Sequence, residues 1–149
     1  MLALDGKESV VAGALRMRSA LDPLTIEDAV MFSSAADIAK MREEIARMRA
    51  AMKAGVVRGL LRGNWRFQAC VAHVSPNAML RTVFLSLLDI LEQHAVALRP
   101  STNQPTMDLL EERMDLYVRM AYALEARDRV SAFHIMSEHN TGTQPASLP

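Results

Sequence analysis

At 149 residues the chain has room for one domain with a substantial core. Half of its residues are hydrophobic and only 5% aromatic, while Lys+Arg and Asp+Glu balance at 17 each. That balance removes the electrostatic case for DNA binding by this chain alone. Cys70 is the single cysteine, which excludes an intrachain disulfide and fits a reducing, cytoplasmic setting. The start of the chain lacks the basic residues and long apolar run of a secretory signal. The most apolar segment, residues 78–98, is broken by Arg81, Asp89, Glu92 and His94, so it reads as a buried helix and not a membrane span. Good helix formers dominate and period-two alternation is missing, which predicts an all-α antiparallel bundle of six to seven helices.

In chain order, Val10, Val11, Ala14, Leu15, Met17 and Leu21 predict a helix over residues 7–21 that Pro23 kinks or stops. The helical pattern continues over 25–32. Ser34 and Asp37 read as a capping pair for a helix through Ile38, Met41, Ile45 and Met48, with Gly55 as its stop. Glu43, Glu44 and Arg47 read as its solvated face. The next helix spans 56–74. It contains Gly59 and Gly63, which mark either a close helix approach or tolerance. Ser75-Pro76 makes a turn. Helix follows over 78–98, with Leu80, Val83, Phe84, Leu87, Leu88 and Leu91 inward. A polar loop over 99–106 leads to a helix over 107–126 capped by Thr106. A last helix starts at Asp128 and ends near His139. The expected organisation is one domain over 1–139 and a flexible tail over 140–149.

Asn64 and Gln68 lie one turn apart on one helix face. The run Ala54-Gly55-(8)-Asn64-(2)-Phe67-Gln68-(6)-Ser75-Pro76-Asn77-(2)-Leu80 resembles the central signature of the FCD domain. That is the C-terminal, ligand-sensing domain of the FadR branch of GntR-type bacterial transcription regulators. Arg18-Ser-Ala-Leu21-Asp22-Pro23 is similar to the opening of the same family. Tyr117-(4)-Tyr122 through Asp128, Ala132, Met136 and His139 is similar to its closing pattern, with Arg127 in place of the usual Gly. Many members bind a divalent metal through an Asp and a His on the central helix and two later His. Here Asn64, Gln68 and Tyr117 replace three of those ligands and only His139 is kept. The resemblance therefore implies no metal and no other cofactor, because amides and a phenol are poor substitutes for carboxylate and imidazole.

What the resemblance does imply is that Asn64, Gln68, Tyr117 and His139 converge from three helices. They form either a pocket for a small molecule or a buried polar group satisfied by its own hydrogen bonds. Arg18 reads as the anchor for an anionic effector, or as a surface ion pair. Arg58, Arg62 and Arg66 read as a solvated helix face, and His73, His94 and His134 fit no metal spacing. Cys70 reads as a small core residue, and the eleven methionines as core filler. No carboxylate falls on the family's pocket positions, so a general base is missing and no catalytic residue is assigned. The expected function is effector sensing and homodimerisation in the cytoplasm. Operator DNA would be met only through a winged-helix domain for which this chain has no room. The alternative is a headless ligand-binding or enzyme-like all-α protein.

Overall fold

The computed structural model describes residues 2–97 and 104–143. Six helices run in order: α1 (Leu2–Phe32), α2 (Ala35–Lys53), α3 (Val57–His73), α4 (Ala78–Ala97), α5 (Gln104–Glu125) and α6 (Arg129–Thr143). No strand occurs among the described residues. The main core is shared by α1, α2, α3, α5 and α6 around Ile26, Met41, Met48, Leu60, Phe67 and Leu124. Two smaller clusters, around Leu87 and Leu91 and around Phe84 and Leu88, seat α4 against α1 and α3.

Local chemistry sets most helix ends. Ser34 and Asp37 form a reciprocal capping box on α2. Gly55, at φ 69°, closes the same helix. Its N–H reaches Met52 O, and the Val56 N–H reaches Ala51 O. Asn77 caps α4 through the Leu80 N–H. Asp128 caps α6 through the Ser131 N–H and hydroxyl, which hold its carboxyl below the usual range. Arg127 repeats the Gly55 geometry at φ 54°, a region that disfavours a side chain. The arginine offsets that cost by donating to Val30 O at 2.6 Å and Ser33 O at 3.0 Å, which ties the α5–α6 turn to the end of α1.

Several expectations are corrected. Of the two alternatives for Pro23, a kink or a stop, the stop is excluded: α1 is continuous from Leu2 to Phe32. Proline removes one backbone donor, and the packing on both sides of it holds the helix together. Thr106 does not cap α5, which begins at Gln104. Pro105 falls in the first turn, where a missing N–H leaves nothing unsatisfied. Glu44 is not on a solvated face. It is buried, and Arg47 approaches its Oε1 at 2.5 Å. The last helix continues to Thr143, so residues 140–143 belong to α6 and not to a tail. Residues 144–149 and most of the 99–106 loop lie outside the described residues. Arg58, Arg62 and Arg66 are exposed, as a solvated face requires.

The two glycines of α3 mark a close helix approach. A Cβ on Gly63 would lie 2.2 Å from Met48 Cγ, and one on Gly59 would lie 2.8 Å from Ala51 Cβ. Met48 is fully buried, so its chain has no free space to enter. Gly63→Ala should therefore destabilise the fold by ~1–3 kcal/mol through overpacking, despite the ~1 kcal/mol that alanine gains in a helix interior. Urea unfolding is the measurement. An unchanged or raised midpoint would show that α2 and α3 are not clamped at this contact.

Candidate functional site

Three helices each turn a pair of polar residues, one turn apart, toward the same interior point. They are Arg18 and Asp22 on α1, Asn64 and Gln68 on α3, and Arg113 and Tyr117 on α5; His139 arrives from α6. All seven are buried, Arg18 completely. Tyr117 sits at the centre. Its hydroxyl donates to Asn64 Oδ1, accepts from Gln68 Nε2 at 3.1 Å and stands 3.0 Å from His139 Nε2. Gln68 Nε2 also reaches Asn64 O, while Arg18 Nη1 donates to Gln68 Oε1 at 3.4 Å. Arg113 Nη1 lies 3.4 Å from His139 Nε2. The Tyr117 ring stacks on Phe67 with centroids 4.3 Å apart, which fixes where the hydroxyl points.

Burial governs the ionisation of this cluster. It pushes the Tyr117 phenol up, so the hydroxyl keeps its proton. It pushes the His139 imidazole down to about 3, with Arg113 and Arg18 adding repulsion. The Arg113 guanidinium is lowered by burial first and by Arg18 among the charges. The Asp22 carboxyl is raised to about 6 by burial, against the opposing pull of Arg18. A cavity of about 40 Å³ adjoins the cluster. Its lining includes the polar Asp22, Thr25, Gln68, Tyr117 and His139 and apolar side chains such as Phe84, Met120 and Met136.

The structure thus brings Asn64, Gln68, Tyr117, His139 and Arg18 together. Arg18 is no surface ion pair. Sequence reading missed Arg113 altogether and gave Asp22 no role. The available signal was spacing, since Arg113 stands four residues before Tyr117 on the same face of α5. The donor set does not fit a metal ion. The Asn64 amide oxygen is engaged by Tyr117, the phenol is protonated, and a guanidinium faces the one imidazole. Among the described residues no group of three or more His, Cys, Asp or Glu could hold a metal.

The FCD domain family matches residues 14–142. The chain belongs to this family. The FCD domain is the effector-binding domain of GntR-type transcription regulators, not an enzyme. The fold is shared with E. coli McbR/YncC at a TM-score of 0.69 and 21% identity, over 87% of this chain. The chain spans 60% of the length of that protein. No curated protein sequence matches it. No described helix is long and apolar enough to cross a membrane.

Two buried groups give opposite pH dependences. The folded pKa of His139 lies below its unfolded value near 6.5. Its stabilisation is complete above that value and is lost as pH falls toward about 3. The folded pKa of Asp22 lies above its unfolded value near 3.8. Its stabilisation is complete below that value and is lost as pH rises through about 6. Between pH 4 and 6 the two slopes offset each other. Asp22→Asn should expose the His139 slope, so that stability climbs from pH 4 to 6 more steeply than in the wild type. Urea midpoints against pH test this; a flatter profile in Asp22→Asn would refute the assignment.

Proposed function

We propose that this FCD domain senses a small organic acid in the cluster formed by Arg18, Asn64, Gln68, Tyr117 and His139, as the dimerisation domain of a cytoplasmic FadR-type regulator. DNA is contacted by a winged-helix domain outside residues 14–142. The observation that carries this reading is the convergence of a buried guanidinium, two amides, a phenol and a neutral imidazole beside a cavity. Such a set recognises a carboxylate and an adjacent hydroxyl or carbonyl through direct hydrogen bonds. In the state described, the cavity is sized for water and not for a metabolite, so binding must displace the methionine walls or rearrange the cluster. The test is thermal shift with a panel of two- to six-carbon carboxylates and hydroxy acids. A responding acid should lose most of its shift in Tyr117→Phe, which keeps the ring stack and removes the hydroxyl. Full retention in that variant, or no response to any acid, would count against the pocket.

The dimer reading rests on α1. Val10, Met17, Leu24 and Met31 recur every seven residues and each is about half exposed. Exposed Gly13 and Ala20 lie between them. This is the spacing of one coiled-coil seam, with small residues that let a second helix approach closely. A second copy of α1 is the partner that offers the same repeat over the same length. Met17→Glu with Leu24→Glu should convert a dimer to a monomer of unchanged helicity, read by light scattering and circular dichroism. A wild type that stays monomeric at high concentration overturns this interface.

A further inference from the structure

We propose that the exposed side of α3 is a contact surface for the phosphate backbone of duplex DNA, without regard to base sequence, through Arg58, Arg62 and Arg66. The cluster inside the bundle takes no part in it. The neutral balance of the chain is the sum of two unlike parts. Between Glu44 and Asp89 the sequence carries Arg47, Arg49, Lys53, Arg58, Arg62, Arg66 and Arg81 and no acidic side chain. The rest of the chain is correspondingly acidic, and a polyanion meets local charge, not the sum.

The fold puts three of these cations in one line. The exposed residues of α3 are Arg58, Arg62, Arg66 and His73, so the solvent side of this helix is basic throughout. A step of four residues advances ~6 Å along a helix. The three arginines therefore span ~12 Å, over which one duplex strand presents three or four phosphates at ~3.4 Å of axis each. None of the three forms an ion pair among the described residues. Other exposed arginines do: Arg42 lies against Glu125, Arg119 against Glu138 and Arg129 against Glu27. On the flanking helices Glu44 is paired with Arg47, while Glu43, Asp89 and Glu92 make no ion pair with the stripe. Arg49 and Lys53 add two exposed cations near the end of α2, where the chain turns into α3. Guanidinium forks suit phosphate oxygens, which they can bind two at a time. The three arginines line neither the interior cavity nor the groove between α5 and α6, so an extended polyanion fits them better than a small anion held in a pocket. A bilayer surface fits less well, because α3 exposes no apolar residue beside the arginines to enter it. A single strand also fits less well. Trp65 and Phe67, the aromatic residues of α3, pack against the core clusters and are not presented for stacking on bases.

Fluorescence anisotropy with a labelled DNA duplex of arbitrary sequence tests the proposal. Binding should be measurable at about 20 mM salt, where counterion release favours it most. Three phosphate contacts give a slope of about −2.7 in log affinity against log salt, so affinity should fall about 500-fold by about 200 mM. Shuffling the base sequence should leave it unchanged. Arg62→Gln alone should reduce the slope by about 1, an effect that loss of the fold does not mimic. The triple variant Arg58→Gln, Arg62→Gln, Arg66→Gln should lose binding at every salt concentration. A variant of the same net charge, Arg42→Gln, Arg119→Gln, Arg129→Gln, should keep both the binding and its slope. Circular dichroism should show both triple variants as helical as the wild type. A wild type that binds no duplex at the lowest salt overturns the proposal, as does equal loss in the two triple variants. Co-sedimentation with phosphatidylserine vesicles is the remaining arm. Vesicle binding that exceeds duplex binding and vanishes in the α3 variant assigns the stripe to a membrane and overturns the DNA contact.

Discussion

The Tyr117 hydroxyl is the constraint on which the interior depends. A buried phenol, two amides, an imidazole and two guanidinium groups are tolerable only if their hydrogen bonds are made to one another. Tyr117 is the member that touches both amides and the imidazole at once. Its position is set by the stack on Phe67, an apolar contact that belongs to the main core. The polar cluster and the hydrophobic core are therefore one construction. A shift of α5 that spoiled the stack would also leave Asn64 and Gln68 short of a partner.

The helices that deliver these residues are held at defined separations by contacts away from the cluster. Gly63 lets α3 lie against Met48 of α2, one residue before Asn64. Arg127 fastens the α5–α6 turn to the end of α1, so the helices carrying Tyr117, His139 and Arg18 are mutually anchored. Asp28 on α1 accepts from the Ser75 hydroxyl at 2.5 Å, and Ser75 in turn receives the Asn77 N–H. That pair fixes the turn leaving α3. These are ordinary devices of packing and capping, and together they limit the freedom of a site built on four helices.

Charge distinguishes this interior from a metal centre. A metal site gathers anionic or neutral donors around a cation. Here the cations are Arg18 and Arg113, and the carboxyl near them, Asp22, has a pKa raised to about 6 by burial. The imidazole is held neutral for the same reason.

The sequence by itself determined the helices and most of their ends, because those depend on neighbours in the chain. Apolar spacing placed α2, α3 and α4, and Ser34, Gly55 and Asp128 terminated helices through bonds to residues a few positions away. The shared frame of spacings also named five members of the cluster. Tertiary structure alone decided which faces turned inward. Glu44 became buried because α3 packs over it, although its own helix reads as solvated there. Arg113 entered the cluster because α5 presents that turn to α6, and only its spacing from Tyr117 separates it in the sequence from the exposed Arg119 on the same helix. Asp22 acquired its raised pKa from burial that no single segment encodes. Pro23 stayed inside α1 because packing along both halves outweighs one missing donor. Local pattern fixes a helix and its caps; the partner of each side chain, and so its charge state and chemistry, is set by contacts between residues far apart in the chain.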